Sequence, residues 1–340
     1  MNAKIPLHGA NPEKLYVAMG IPMPECVIDF STNASVLPWS MPPLDFQGLI
    51  SHYPDSECLE LRRLIAGREG LSAENILFTN GSNEALYLLA SCLAKKRAAI
   101  LQPAYPEYAL ALAAYGVETT NLFDLADAEN FDAVFLSNPC NPTGAYIPQK
   151  KLRPLLERAP ETLFITDEAY IDFLLQEGRP VWGELPENLI VLRSLTKFYH
   201  LSGARIGYVL APEAWTERLK ARQPSWSVNA VAQALALAFL RDEDFAQRSR
   251  EFYRRETPRF TRALEDAGLN VRPSSVHFFL IETADDEGVL RGLMERGLVV
   301  RHTRNFPGLD GRYIRMATRL PGENDRLAEA LRILREEGVF

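Results

Sequence analysis

Cysteine is scarce in this sequence, and its four cysteines form no C-x-x-C pair: Cys26, Cys58, Cys92 and Cys140. Their spacing favours neither a zinc site nor a disulfide framework. Unpaired thiols are typical of a reducing compartment, and Lys4 is not followed by the apolar segment of a signal peptide. We therefore expect a cytoplasmic protein without a metal.

Long hydrophobic runs and an excess of positive charge are also missing. The longest apolar stretches, such as residues 86–94 and 231–240, contain polar side chains and are too short to span a bilayer. The formal net charge is -7, whereas a nucleic-acid-binding surface needs a basic face. Neither a membrane nor a nucleic acid is expected as a partner.

The chain has 340 residues, 47% of them hydrophobic, which is enough for a large core and about two domains. Between residues 76 and 210, short apolar runs alternate with helical patterns. Strands are predicted at residues 76–79, 98–101, 118–122, 133–137, 163–166, 189–192 and 206–210. Because helices fall between many of these strands, the sequence predicts an α/β domain. Its mostly parallel sheet would have seven strands, with helices covering both faces.

The pattern changes after this segment. Helices dominate residues 214–267, and a smaller α+β unit follows, with strands predicted at residues 276–281, 299–301 and 313–317. The first 45 residues contain several prolines and little regular periodicity. We therefore predict an N-terminal arm (residues 1–45) that acts as a cover and joins the small domain, a large domain (residues 46–243) and a small C-terminal domain (residues 244–340).

Residues with chemical capability follow the predicted strands of the large domain. In a parallel α/β sheet, ligands bind at the carboxyl ends of the strands, so these residues are expected to meet at one edge. They are Gly81, Ser82, Asn83, Tyr105, Asn141, Asp167, Tyr170, Ser194, Thr196, Lys197 and Arg205.

Five of these residues suit a phosphate group. Gly81 and Ser82 open a predicted helix, where free N–H groups and the helix dipole attract an anion. Ser194, Thr196 and Arg205 add two hydroxyls and a guanidinium. Together they predict a phosphate-binding cradle.

The remaining residues suit a flat aldehyde cofactor. Lys197 can form a Schiff base with an aldehyde, and Asp167 can keep a pyridine nitrogen protonated, so that the ring becomes an electron sink. Tyr105 can stack on the ring, and Asn141 and Tyr170 can hydrogen-bond its phenolic oxygen. The complete set predicts an enzyme that uses pyridoxal 5′-phosphate.

Each residue taken alone has a simpler explanation. Lys197 could be a surface lysine, Asp167 a helix N-cap, and Tyr105 a core aromatic residue. Their occurrence together, each at a strand end and in this order, favours the cofactor site.

Three motifs carry a resemblance to a known family: N-P-C-N-P-T-G at residues 138–144, D-E-A-Y at residues 167–170, and S-x-T-K-x7-R at residues 194–205. On these motifs the chain resembles the fold-type I pyridoxal phosphate enzymes of the class I/II aminotransferase superfamily. It is most similar to the branch that contains histidinol-phosphate aminotransferases and the L-threonine-O-3-phosphate decarboxylases of cobalamin synthesis. The segments at residues 8–11, 194–199 and 305–315 favour the decarboxylase.

The resemblance implies a role for each site residue. Lys197 would bind the cofactor covalently, Asp167 would face the pyridine nitrogen, and Tyr105 would stack on the ring. Tyr53 would reach the phosphate of the neighbouring subunit, so a homodimer is expected. The substrate, a phosphorylated amino acid or amine, would contact four residues: His8, Asn33, Arg301 and Arg315.

The sequence also departs from the decarboxylase pattern. Ser35 stands where a second asparagine is usual, Trp39 where glycine is usual, and residues 200–203 read H-L-S-G instead of A-I-P-G. The substrate therefore stays open between a phosphorylated hydroxy-amino acid that is decarboxylated and an amino donor, such as histidinol phosphate, that is transaminated. A non-catalytic cofactor sensor fused to a DNA-binding domain is disfavoured, because no helix-turn-helix pattern is present.

Overall fold

The computed structural model describes residues 5–340. Three elements come first: α1 (Pro12–Met19), β1 (Ile28–Asp29) and α2 (Phe46–Ser51). The large sheet and its helices follow: α3 (Leu59–Glu69), β2 (Ile76–Thr79), α4 (Gly81–Cys92), β3 (Arg97–Leu101), α5 (Glu107–Ala114), β4 (Glu118–Leu122), β5 (Ala133–Ser137), α6 (Gln149–Arg158), β6 (Leu163–Asp167), β7 (Leu189–Ser194), α7 (Leu195–Phe198), β8 (Gly207–Leu210), α8 (Glu213–Lys220) and α9 (Ala230–Arg241). The last elements are α10 (Glu243–Asp266), β9 (Phe278–Glu282), α11 (Asp286–Glu295), β10 (Leu298–Val299), β11 (Arg301–His302), β12 (Tyr313–Ala317) and α12 (Pro321–Glu336).

The seven strands β2–β8 form one sheet in the order β2-β8-β7-β6-β5-β3-β4. Only β8 runs antiparallel to its neighbours, β2 and β7. The central strands β5, β6 and β7 are buried along their whole length, which is why they read in the sequence as continuous apolar runs rather than alternating ones. The predicted mostly parallel sheet and α/β fold are confirmed.

Side chains of the central strands alternate between two cores on opposite faces of this sheet. In β5, Val134 and Leu136 face the core that contains residues of α3, α6 and α9. Ala133 and Phe135 face the core that contains residues of α4 and α5. Because both faces are covered, the carboxyl ends of the strands are the place where this sheet can present polar groups to a ligand.

A smaller antiparallel sheet, in the order β11-β12-β9, belongs to the C-terminal part. Its core includes residues of α10, α11 and α12 together with Leu15, Tyr16 and Phe30 from the N-terminal segment. In addition, β1 pairs in parallel with β10, with Ile28 opposite Leu298. The N-terminal segment therefore packs on the C-terminal part. The predicted domain boundary between residues 243 and 244 falls in the first turn of α10 and stays a prediction.

One sequence prediction was wrong in this region. A single strand was expected at residues 299–301, but β10 ends at Val299 and β11 begins at Arg301. They pair with β1 and β12, respectively, so the chain changes sheets at Val300. An apolar run does not indicate its pairing partner, and therefore the division could not be read from periodicity.

No helix within residues 5–340 is both long enough and apolar enough to cross a membrane.

Candidate active site

The carboxyl ends of the strands in the large sheet surround a cavity of about 160 Å³. All of the predicted cofactor residues except Gly81 and Tyr53 line it: Ser82, Asn83, Tyr105, Asn141, Asp167, Tyr170, Ser194, Thr196, Lys197 and Arg205. Residues scattered over more than 120 positions of the chain are thus brought together, because their strands are neighbours in one sheet.

One end of this cavity is suited to a phosphate. The hydroxyl oxygens of Ser194 and Thr196 lie 2.7 Å apart. Gly81 starts α4 with a positive φ of 72°, and a Cβ atom at this position would lie 2.6 Å from Nη2 of Arg205. Glycine therefore allows the guanidinium to lie against the N-terminus of α4, where the helix dipole also attracts an anion.

The carboxylate of Asp167 is buried and held by two donors. The Tyr108 hydroxyl donates to Oδ2 at 2.8 Å, and the backbone N–H of Ala169 donates to Oδ1 at 3.0 Å. Burial raises the pKa of Asp167, although these hydrogen bonds and the charge of Lys197 oppose the rise. A cationic partner, such as a protonated pyridine nitrogen, would satisfy this carboxylate.

Tyr108 was missed by the sequence analysis. It lies three residues after Tyr105, on the first turn of α5, and both aromatic residues line the cavity. Tyr105 precedes the helix, so no helical spacing relates the two residues, and the local sequence gives no signal that would have identified Tyr108. The ring of Tyr105 packs edge-on against Tyr108, with centroids 5.9 Å apart, and its hydroxyl lies 3.5 Å from Asn83 Oδ1. Burial raises the pKa of Tyr105.

A second chamber, of about 120 Å³, adjoins the first and shares Tyr105, Asn141, Tyr170 and Lys197 with it. The four predicted substrate residues all line this chamber: His8, Asn33, Arg301 and Arg315. The structure therefore places the N-terminal segment, the small sheet and the lysine around one space. Phe306 also lines it and was not predicted.

Two buried arginines give this chamber a positive character. Arg315 donates to Asn141 Oδ1 at 2.6 Å and to the carbonyl of Ser31. Arg301 donates to Asn305 Oδ1 at 2.8 Å and to backbone carbonyls of residues 6 and 7. Burial lowers the pKa of Arg315 to about 10, and burial together with the charge of Arg315 lowers that of Arg301 to about 9. An anionic ligand would offset the unfavourable free energy of burying these two positive charges.

The N-terminal segment closes the chamber with polar contacts. His8 Nε2 lies 2.8 Å from Oε1 of Glu107, the first residue of α5, and its ring centroid is 5.8 Å from that of Tyr105. Asn33 Nδ2 donates to the Tyr170 hydroxyl at 3.4 Å. These contacts link the predicted substrate residues of the arm to two predicted cofactor residues.

Tyr53 does not line the cavity of its own chain. Its side chain is 79% exposed, and its ring stacks on Trp226 with centroids 4.5 Å apart. The predicted contact of Tyr53 with a neighbouring subunit stays a prediction.

The three departures from the decarboxylase pattern lie outside the residues that line the substrate chamber. Ser35 donates its backbone N–H to the carbonyl of Lys197 at 2.8 Å, and Trp39 packs edge-on against Phe239 with centroids 4.5 Å apart. His200 adopts a positive φ of 54°. None of these residues therefore contributes directly to the lining of the chamber.

No group of three or more histidine, cysteine, aspartate or glutamate side chains in the described part of the chain is arranged to hold a metal.

A lysine in α7 just after β7, a carboxylate at the end of β6 and a phosphate-type cradle on a mostly parallel sheet define the class of fold-type I cofactor-dependent enzymes. The chain belongs to the family of class I and II aminotransferases, which it matches over residues 44–331. The family predicted from the motifs is thus confirmed.

Relatives carry both of the names that the motifs suggested. Threonine-phosphate decarboxylase of Salmonella typhimurium is 34% identical, over 96% of this chain and 95% of that protein. Histidinol-phosphate aminotransferase 1 of Cupriavidus pinatubonensis is 33% identical, over 83% of this chain and 80% of that protein. The solved structure of L-threonine-O-3-phosphate decarboxylase from Porphyromonas gingivalis is similar with a TM-score of 0.79 and 29% identity, covering 86% of this chain and 93% of that one.

Proposed function

We propose that this protein is a pyridoxal 5′-phosphate enzyme that decarboxylates a phosphorylated hydroxy-amino acid. The substrate would be L-threonine O-3-phosphate or a close analogue, and the product an aminopropanol phosphate of the kind used in cobalamin synthesis. The observation that carries this proposal is the pair of buried arginines in the chamber beside Lys197. Neither forms a salt bridge with a carboxylate of residues 5–340, so both are available to an anionic substrate.

The residues of the first cavity fit the cofactor. The N-terminus of α4, the hydroxyls of Ser194 and Thr196, and Arg205 would hold its phosphate. When bound, pyridoxal 5′-phosphate supplies an electron sink for the bond that is broken at the substrate Cα. Asp167 would hold the proton of the ring nitrogen.

The choice of reaction depends on how the arginines orient the substrate. If an arginine held the substrate carboxylate, Lys197 would be left to accept the Cα proton, which would favour transamination. If the arginines held a phosphate instead, the substrate carboxylate would stay unbound, which would favour loss of carbon dioxide. Arg301 lies at the end of the chamber formed by the arm, beside Leu7 and Asn305, and this is where a phosphate remote from Cα would bind.

An aminotransferase is the second candidate. Arg315 donates to Asn141, which also lines the cofactor cavity. One guanidinium therefore lies beside the proposed cofactor cavity, where it would hold a substrate carboxylate. The identity with histidinol-phosphate aminotransferases also supports this alternative.

The association state and location are part of the same proposal. Exposed apolar side chains cluster in sequence around Tyr53, namely Met41, Phe46, Ile50 and Leu59. We propose that they lie at a homodimer interface that brings Tyr53 to the cofactor phosphate of the partner. The proposed location is the cytoplasm.

The deciding experiment is incubation of the purified holoenzyme with L-threonine O-phosphate and no keto acid. Release of carbon dioxide over many turnovers, with the visible spectrum of the cofactor returning to its starting form, is the expected result. Conversion of the cofactor to its amine form without carbon dioxide release would replace the proposal with the aminotransferase. Lys197→Ala is the control that should abolish either reaction.

A further inference from the structure

His277 is a buried histidine that lines neither chamber but lies directly behind Tyr170. It immediately precedes β9 and is fully buried. Its ring stacks on Phe173, with centroids 3.6 Å apart and planes 24° apart. The rings of Tyr170 and Tyr253 lie at centroid distances of 6.3 and 5.0 Å.

The hydrogen bonding of His277 determines which ring nitrogen carries the proton. Nε2 lies 3.1 Å from the backbone carbonyl oxygen of Asn33. A carbonyl only accepts, so Nε2 must carry the hydrogen. Burial, with a smaller effect from the charges of Arg315 and Lys197, lowers the pKa of His277 to about 3. The ring is therefore neutral, and it acts as a single donor directed at Asn33.

Asn33 is thereby held between the small sheet and the cofactor cavity. Its backbone carbonyl accepts from His277, while its side-chain Nδ2 donates to the Tyr170 hydroxyl. Its Oδ1 is buried with no hydrogen-bond partner among the described residues, and Asn33 lines the substrate chamber. Two residues further on, Ser35 donates to the carbonyl of Lys197. Asn33 thus contacts Tyr170 directly, and the backbone two residues after it is hydrogen-bonded to that of Lys197.

We infer that His277 is a positioning residue, which orients Asn33 so that its side chain donates to Tyr170 and presents Oδ1 to the substrate. This inference rests on the proposed contact of Tyr170 with the phenolic oxygen of the cofactor. A hydroxyl that accepts one hydrogen bond becomes a stronger donor in another. The donation from Asn33 would therefore strengthen a donation from Tyr170 to the cofactor, and His277 would control it through the backbone of Asn33.

Two substitutions separate this role from simple packing. His277→Leu removes the donor and keeps an apolar side chain. His277→Gln keeps a donor, because its Nε2 is the same number of bonds from Cα as Nε2 of histidine. Val289→Ala is the matched control. Val289 is also fully buried, but it lies in the core of the small sheet and its helices, not among the aromatic residues around His277.

The informative measurement is the pH midpoint of the visible absorbance change of the resting holoenzyme, taken without any substrate. Weaker donation from Tyr170 leaves the phenolic oxygen more basic, so it retains a proton to higher pH. We expect His277→Leu to raise the midpoint by about half a pH unit, His277→Gln to restore most of it, and Val289→Ala to leave it unchanged. In steady-state kinetics with a substrate that the enzyme converts, His277→Leu should also raise KM by a larger factor than it lowers kcat.

A midpoint in His277→Leu equal to that of the wild type would overturn the inference, as would equal shifts in the Leu and Gln variants. If His277→Leu does not fold, His277→Asn replaces it, since its amide is one bond too short to reach the Asn33 carbonyl; an unshifted midpoint in that variant would again refute the role. Because the midpoint needs no substrate, its outcome is independent of whether carbon dioxide is released from L-threonine O-phosphate.

Discussion

The hydroxyl of Tyr108 donates to the buried carboxylate of Asp167 at 2.8 Å. The donor comes from the first turn of α5 and the acceptor from the end of β6. Asp167 is 6% exposed, so its charge depends on such donors rather than on water. Tyr108 therefore supports the ionised form of the carboxylate that would hold the proton on the cofactor ring.

Tyr108→Phe removes this donor and leaves the ring in place. The pKa of Asp167 should rise further, because its ionised form loses a hydrogen bond. We expect kcat to fall by about 10-fold, which corresponds to a hydrogen bond of about 1.4 kcal/mol, and the dissociation constant of the cofactor to rise. Steady-state kinetics and cofactor titration test this. Tyr115→Phe, at an exposed tyrosine, is the control, and an equal loss in both variants would contradict the role of Tyr108.

Gly81→Ala tests the cradle at the N-terminus of α4. The substitution places a Cβ atom at a positive φ of 72° and 2.6 Å from the Arg205 guanidinium, so the arginine must move away. We expect a destabilisation of about 1 kcal/mol and weaker binding of the cofactor phosphate. Gly67→Ala is the matched control, because Gly67 lies in α3 with open space around it, and it should stabilise slightly. Unchanged cofactor affinity in Gly81→Ala would argue against the cradle.

Arg301→Gln tests whether Arg301 binds the phosphate or the carboxylate of the substrate. A charge-assisted hydrogen bond contributes about 1.5–3 kcal/mol, so KM for L-threonine O-phosphate should rise by about 10- to 100-fold. Binding of unphosphorylated L-threonine, measured through the cofactor spectrum, should change little. Equal weakening of both ligands would show that Arg301 acts on the carboxylate, or only through the arm carbonyls that it holds.

The residues that could be assigned from the sequence are those whose side-chain type already indicates chemistry at a strand end. Asp167 ends β6 and Lys197 follows β7 closely, whereas Arg205 lies in the segment that leads into β8; all three line one cavity. The hydroxyls of Ser194 and Thr196, which would hold the phosphate under the proposal, stand at the end of β7 and line the same cavity. Parallel strands present their carboxyl ends at one edge whatever the length of the connections between them.

Tyr108 and His277 could not be assigned in this way. Both stand among apolar residues, where a tyrosine or histidine is usually part of the core. His277 meets Asn33 across 244 positions of sequence, and only the packing of the N-terminal segment on the small sheet creates that contact. The local sequence of neither residue indicates which side chain or backbone group it will contact.

His302 should make the fold sensitive to acid. Burial and the charge of Arg301 lower its pKa to about 4, whereas an unfolded histidine takes up a proton near pH 6.5. Between these values the unfolded chain binds more protons, so the free energy of unfolding falls as the pH falls from about 6.5 to 4. At pH 5, protonation of His302 in the unfolded chain should lower the free energy of unfolding of the wild type by up to about 2 kcal/mol. His302→Gln should not show this decrease. Urea unfolding at pH 7 and pH 5 measures it, with the exposed His52→Gln as control; the same pH dependence in wild type and His302→Gln would refute it.

Tyr53 gives the most direct test of a shared active site. Its side chain is exposed and stacks on Trp226, away from the cavity of its own chain. Under the proposed homodimer, Tyr53→Ala and Lys197→Ala each inactivate or impair both sites of their own dimers. A mixed dimer, however, contains one site that has Lys197 from one subunit and Tyr53 from the other. Random mixing of equal amounts should therefore restore about a quarter of the wild-type activity.

The mixture must be unfolded and refolded together, or co-expressed, so that subunits can exchange. Each variant refolded alone is the control for residual activity. Recovery above the sum of the two controls requires that the partner supplies Tyr53, because no single chain in the mixture carries both intact residues. If the mixture never exceeds that sum although mixed dimers are detected by mass, Tyr53 does not act across the interface, and the phosphate is held by residues of one chain alone.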